Sequence, residues 1–150
     1  LGTYVSLDGV KIIFNHENLG LASSANQALQ ECRGKWVMRV DADDVLLPGT
    51  LNQLIQFGNE KEADIVYPAF HEIDEIGRYI RIGRSDESHH AGCALMRREF
   101  LQELKFRDGL KIGDSAELYE RAKQLGKIEY YPGFTWLYRR HAESLTAIQR

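Results

Sequence analysis

Little in this sequence suits a membrane span, a nucleic-acid surface or a disulfide scaffold. The longest apolar runs are only a few residues, far short of the roughly 20 that a membrane helix needs. Two cysteines, Cys32 and Cys93, are too few for a disulfide framework and stand in no paired metal-ligand spacing. They are expected as buried, reduced thiols of a cytosolic protein. Lysine and arginine number 19 against 22 acids, for a formal charge of -3. The basic residues are scattered apart from Arg97-Arg98 and Arg139-Arg140, whereas a nucleic-acid binder gathers them on one face. No secretory signal or lipidation motif opens the chain, and repeats, low-complexity stretches and linkers are missing. The expected location is cytoplasmic, or peripheral at the cytoplasmic face of a membrane.

What remains is one domain's worth of ordinary globular sequence: 150 residues, 43% hydrophobic and 27% charged. Lys11-Ile12-Ile13-Phe14 predicts a short buried strand. Leu21, Ala25, Ala28, Leu29 and Cys32 recur at helical spacing, with Gly34 as the expected C-cap. Trp36-Val37-Met38-Arg39-Val40 predicts a second strand, nearly all apolar, as in a parallel sheet covered on both faces. Pro48 pre-sets a helix carrying Leu51, Leu54 and Ile55. Asp64-Ile65-Val66-Tyr67 predicts a third strand, and residues 70–82 a strand pair turning at Glu75-Ile76-Gly77. Residues 94–104 predict a strand passing into a helix. A last helix is expected over residues 114–125, stopped by Gly126, and a final strand over 127–131 before Pro132. Strands alternating with helices predict an α/β domain with a mostly parallel sheet.

In such sheets ligands lie beyond the carboxyl ends of the strands. After Val40 come three acids in four residues, Asp41, Asp43 and Asp44. Carboxylates crowded in a loop repel one another unless a cation or hydrogen-bond donors hold them. Oxygen ligands of this kind suit Mg2+ or Mn2+, which take one or two protein carboxylates together with substrate phosphates. A bound ion would offset the charge of a diphosphate leaving group. The plainer alternative is a solvated, Asp-rich turn ahead of a helix.

Other segments accompany the acids. Asn18-Leu19-Gly20-Leu21-Ala22 with Asn26, Trp36 through Pro48, Gly92 through Phe100 with Leu95-Met96-Arg97-Arg98, and Tyr138-Arg139-Arg140-His141 with Ser144 and Thr146 fall in one order along residues 11–146. Together they resemble the family 2 glycosyltransferases, which use the GT-A fold, a Rossmann-like sheet flanked by helices. The resemblance implies transfer of a sugar from a nucleotide-diphosphate donor to an acceptor hydroxyl, inverting and dependent on a divalent metal (Mn2+ or Mg2+). It places Asp41 near the donor ribose or diphosphate and Asp43 on the metal, with Asp44 supporting the loop. Asn18 and Gly20 would shape the turn beside the nucleotide, though Asn and Gly are also ordinary turn residues. Asn26 either bonds the neighbouring loop or is a solvated helix residue. Arg139 or His141 would approach the diphosphate, with His141 a further metal ligand beside Asp43 and Asp41.

An inverting transfer needs a base for the acceptor proton. The family resemblance assigns it to the Asp of a Glu-Asp pair opening a late helix. Here that helix begins Gly113-Asp114-Ser115-Ala116-Glu117. One alignment puts Ser115 at the base, and a one-residue shift puts Asp114 there. Asp114 with Glu117 three residues on also fits an N-cap with its capping-box partner. His89 and His90 are expected as surface or satisfied core residues. Arg97 and Arg98 either reach phosphate or stay solvated, and Trp136 is expected in the core.

Residues 1–9 carry no strand-helix-strand unit of the kind that cradles the nucleobase in this family. The whole of 1–150 therefore reads as one partial GT-A-like domain, either a fragment or a natural truncation, and a second copy is expected across the open sheet edge. The acceptor, whether saccharide, lipid or protein, is not specified by any motif. Two rival readings stand beside the transferase. Residues 37–45 also resemble the haloacid dehalogenase-type phosphatases, with Gly113-Asp114 and Lys111 as their later motifs, although Asp44-Val45 stands where that family has Gly-Thr. The other rival is a degenerate domain of the transferase fold that binds nucleotide or a partner without turnover.

Overall fold

The computed structural model describes residues 3–7 (backbone only), 9–84, 86–87, 89–110 and 114–142. Its centre is the strand Ile65–Ile73, whose residues are all buried except His71. In chain order the elements are β1 (Thr3–Leu7), β2 (Val10–Phe14), α1 (Leu21–Glu31), β3 (Trp36–Met38), β4 (Val45–Leu46), α2 (Thr50–Glu60), β5 (Ile65–Ile73), β6 (Tyr79–Gly83), β7 (Leu95–Arg97), α3 (Arg98–Leu104), α4 (Asp114–Leu125) and β8 (Ile128–Arg139). The main sheet runs β3-β7-β5-β8-β4, with β6 on the far end of β5.

Alternation along β5 distributes its side chains between two layers. Ile65 and Tyr67 meet Leu29 of α1, Leu101 of α3 and Leu118 and Ala122 of α4. Val66 points the other way, onto Leu54 of α2 and Leu95. Leu54 is fully buried, which contributes about 1.5–3 kcal/mol relative to leaving it in water. Beyond Pro68, Phe70 packs with Cys93 and Trp136 in a third cluster. The expectation of Trp136 in the core is met.

The α/β layering is as expected, but the sheet is mixed rather than mostly parallel. Among the described strands, β5 and β8 run parallel, whereas β3·β7, β7·β5, β5·β6 and β8·β4 are antiparallel. The reason lies in the connections. Parallel neighbours need a long crossover, and helices α3 and α4 lie on the route from β5 to β8. The step from β5 to β6 is instead a tight turn, where Asp74 accepts hydrogen bonds from the backbone N–H groups of Ile76 and Arg78.

Other boundaries moved for local reasons. β8 does not stop before Pro132; it continues to Arg139, and its pairing with β5 jumps from Tyr131 to Phe134. Proline cannot donate to a ladder, so the chain places Pro132 and Gly133 in this irregularity. Helix α1 is capped by Cys32 in an extended conformation rather than by Gly34. Cys32 is therefore half-buried and Cys93 buried, both free, so the expectation of two buried thiols holds for Cys93 alone. Gly49, at φ 81, caps α2 one residue after Pro48. There the Thr50 hydroxyl reaches the carbonyls of Leu47 and Thr135 at 2.7 and 2.5 Å. The strand expected at residues 11–14 forms, but in a separate hairpin with β1, and Val10 and Phe14 stay about half exposed. Among the described residues no helix is long and apolar enough to cross a membrane.

Candidate active site

The acids after β3 are held open by the loop ahead of β7. The Arg39 carbonyl accepts the Cys93 N–H at 2.6 Å, and Arg39 bridges Gly92 in parallel. A Cβ at Gly92 would lie 3.1 Å from Asp41 Oδ2, a tight contact that the Asp41 side chain would have to relieve by a few tenths of an ångström. Cys93 itself takes φ 62, in the left-handed region, a local cost that the packing around it sustains. Burial in this cluster pushes its thiol pKa well above the ordinary range.

Asp41 and Asp43, two residues apart, face different partners. Asp41 Oδ1 lies 3.1 Å from Arg39 Nε, and Arg39 Nη1 donates to Asp114 Oδ2 at 2.6 Å. The Arg39 and Asp114 side chains are only 15% and 16% exposed, and the guanidinium also lies over the Phe106 ring at 5.4 Å. Asp43 Oδ2 instead meets His141 Nε2 at 2.9 Å. Asp44 turns inward, accepting the Arg139 N–H at 2.9 Å. Its pKa is pushed up to about 7, chiefly by burial, with Asp43 and Asp41 adding to the rise and the Arg139 hydrogen bond opposing it. The loop support expected of Asp44 is visible in that bond.

Arg139 is occupied with backbone. Its Nε donates to the Asp43 carbonyl at 3.0 Å, and Nη1 reaches the carbonyls of Glu75 and Asp74 at 3.0 and 3.3 Å. It thereby ties the β5–β6 turn to the acid loop. Arg140 pairs with Glu72, which is 1% exposed and also meets Arg81.

Asp114 is the first residue of α4, and its carboxylate goes to Arg39. Glu117, the proposed capping-box partner, is forked by Arg121 at 2.7 Å through both oxygens, which holds its pKa low. The capping-box pairing of Asp114 and Glu117 is therefore replaced by two ion pairs. Ser115 Oγ accepts the Ala91 N–H at 3.0 Å.

Asn18 Oδ1 accepts the Gly20 N–H at 2.9 Å, and Gly20 takes φ 80 ahead of α1, so both show turn chemistry. Asn26 is not a solvated helix residue. Its amide donates to the Phe106 carbonyl at 2.8 Å and accepts the Phe106 N–H at 3.0 Å, tying α1 to the loop beneath Arg39. Arg97 donates to the Ala63 carbonyl and Arg98 to that of Gly34, so neither stays solvated. His89 stacks on Tyr119 with ring centroids 3.4 Å apart, and His90 lies among Phe70, Trp136 and Tyr138. Burial lowers both imidazole pKa values. Lys111, Gly113, Ser144 and Thr146 lie outside the described residues.

Among the described residues no three His, Cys, Asp or Glu side chains converge as a ready metal shell. The expected set of Asp41, Asp43 and His141 is split: Asp43 and His141 meet, while Asp41 belongs to the guanidinium. Sequence reasoning passed over Arg39 as part of an apolar strand. Its signal was the charge itself, since an arginine in a buried strand needs a partner.

The model of the family described as "Glycosyl transferase family 2" matches residues 3–144. An uncharacterized glycosyltransferase of Methanocaldococcus jannaschii is 35% identical over 74 residues, covering 47% of this chain and 26% of that protein. Glycosyltransferase GlyG of Streptococcus pneumoniae serotype 4 is 22% identical over 162 residues, covering 91% of this chain and 54% of its own. This chain thus spans about a quarter of one curated relative and about half of the other. The crystal structure of S. aureus TarS 1-349 in complex with UDP-GlcNAc superposes with a TM-score of 0.70 at 18% identity, covering 86% of this chain and 42% of that one. The UDP complex gives 0.67, covering 81% and 40%. At this identity the likeness establishes the GT-A fold.

Proposed function

Because this chain belongs to glycosyl transferase family 2, we propose that residues 1–150 are part of one GT-A domain that moves a sugar from a nucleoside-diphosphate donor to an acceptor hydroxyl, with inversion and with a divalent cation. The observation that carries this reading is the edge beyond β3, where Asp43 meets His141 and one guanidinium joins Asp41 to Asp114. Asp43 Oδ2 and His141 Nε2 lie 2.9 Å apart, and these two side chains would hold the ion. Mg2+ or Mn2+ is commonly held by few protein ligands plus substrate phosphates, so this pair suits the ion without a third side chain. The cation would offset the charge of the departing nucleoside diphosphate. Asp43 and His141 hold that corner, while Arg139 fixes the Asp43 carbonyl and keeps the loop in place.

Asp114 is assigned as the base. Arg39 engages its Oδ2, and among the described residues no donor engages Oδ1, which is left to take the acceptor proton. Ser115 is assigned to positioning, because its oxygen is committed to the Ala91 N–H and a lone hydroxyl is a poor base. Asn18 and Gly20 shape the turn on the nucleotide side. UDP-GlcNAc, the ligand of the TarS complex, is the first donor to test. Titration calorimetry of the full-length protein with UDP should give binding that depends on Mn2+ and is lost in Asp43→Ala. UDP affinity that is equal with manganese and with chelator would remove the cation from the reading.

A further inference from the structure

Asp114 is the first residue of α4, where the backbone N–H groups of a helix lack internal partners. An acid in that first turn is drawn toward its own helix by the positive end of the helix dipole. A carboxylate held that way is turned away from substrate, so the pull of the helix and proton abstraction compete for one side chain. The structure has resolved the competition through Arg39, whose Nη1 donates to Asp114 Oδ2 at 2.6 Å.

We infer that Arg39 is a positioning residue for the reaction: anchored on Asp41, it holds the Asp114 carboxylate off its helix and turned toward the donor edge. The inference rests on the reading of Asp114 as base. Four features make the guanidinium a fixed strut. Its Nε is 3.1 Å from Asp41 Oδ1, so both ends of the bridge are ionic. The Arg39 side chain is 15% exposed and backed by the Phe106 ring, so its bond to Asp114, itself 16% exposed, is weakened little by water and salt. Asp41, at 36% exposed, is the more solvated end. The Phe106 backbone is in turn fixed by two hydrogen bonds with Asn26, which donates to its carbonyl and accepts its N–H. Gly92 leaves room beside the Asp41 end, since a Cβ there would stand 3.1 Å from Asp41 Oδ2, tighter than an ordinary contact. An arginine suits this place because its rigid fork can serve two carboxylates at set angles, which a lysine ammonium cannot reproduce.

The test compares wild-type full-length protein with Arg39→Gln, Arg39→Lys, Asp114→Asn and the Arg39→Gln/Asp114→Asn double variant. The readout is hydrolysis of UDP-GlcNAc, or of whichever nucleotide sugar in a panel the wild type cleaves fastest, alongside UDP affinity with Mn2+. Arg39→Gln should lower kcat by about 100-fold, the scale of a misplaced catalytic group. KM and UDP affinity should stay within about twofold, since a group acting on the transition state alone leaves ground-state binding intact. Arg39→Lys should recover part of the loss. Added to Asp114→Asn, Arg39→Gln should cost nothing further, because the two act through one carboxylate. A loss carried by KM, or a full second loss in the double variant, overturns the positioning role. Normal turnover in Asp114→Asn overturns the base assignment instead, so the two failures are told apart. Crystals of Arg39→Gln give an outcome that depends on no donor: the Asp114 carboxylate should swing onto the first N–H groups of α4, and an unmoved carboxylate overturns the inference.

Discussion

Asp41 and Asp43 are two residues apart on one loop, yet they meet different partners. Asp41 faces a guanidinium that stays charged at any pH the protein meets. Asp43 faces an imidazole, a ring of the kind that ligates metals. The Asp41 side already has a permanent cation and reaches Asp114 through it. On the function proposed above, the Asp43 side is where an exchangeable cation would bind. A single acidic motif thus divides into a fixed electrostatic strut and an open corner.

The largest effect that bears on this division is at Asp114. Asp114→Asn should abolish sugar transfer, a loss of about 100-fold to 10,000-fold for a missing general base, while circular dichroism shows the fold retained. Turnover at the wild-type rate would leave the strut side a structural ion pair. On the other side, Asp43→Ala should remove the manganese dependence of UDP binding, and His141→Ala should weaken it less, as titration calorimetry with and without chelator will show. If Asp41→Ala shifts manganese affinity as much as Asp43→Ala does, the division fails. Asn26→Ala should lower the melting temperature, since it leaves the Phe106 N–H and carbonyl without their partner, at a cost of about 1–3 kcal/mol. It should also lower turnover through the loosened Phe106 beneath Arg39.

The smallest effect is at Asp44, whose pKa is raised from 3.8 to about 7 in the folded chain. A carboxyl with a raised folded pKa stabilises the fold below about pH 4 and loses that contribution as pH rises through about 7. Asp44→Asn, which keeps an acceptor for the Arg139 N–H, should therefore melt a few degrees above wild type at pH 8 in chelator. The gap should close toward pH 4, and a gap that stays constant with pH would show that burial of the charge is not what separates Asp44 from its two neighbours.

Much of the site was legible in the residue order. The strand ahead of the acids, the turn at Asn18 and Gly20 and the helix opening at Asp114 all form as the residue pattern predicts. Asp43 and His141 are 98 residues apart and still meet, as the tail motif implied. Their side-chain partners were less legible. Arg139 carries the charge of a phosphate ligand but spends it on the carbonyls of Asp43, Asp74 and Glu75. Asn26 looked like a solvated amide because nothing in a helix pattern announces a loop 80 residues away. Arg39 was hidden in an apolar run.

The sequence by itself determined the elements and the family. Local periodicity, turn residues and the acid motif depend on neighbours along the chain, and these are present in one dimension. Tertiary structure decided the strand directions, the passage of β8 through Pro132 and the pairing of Arg39 with Asp114, Asp43 with His141 and Glu72 with Arg140, each far apart in sequence. Partners are set by which elements the core brings face to face: Ile65 and Tyr67 pack against α4 and its neighbours, and that packing sets Asp114 beside Arg39. A buried charge takes whichever counter-charge the packing delivers, and only the folded chain fixes which one that is.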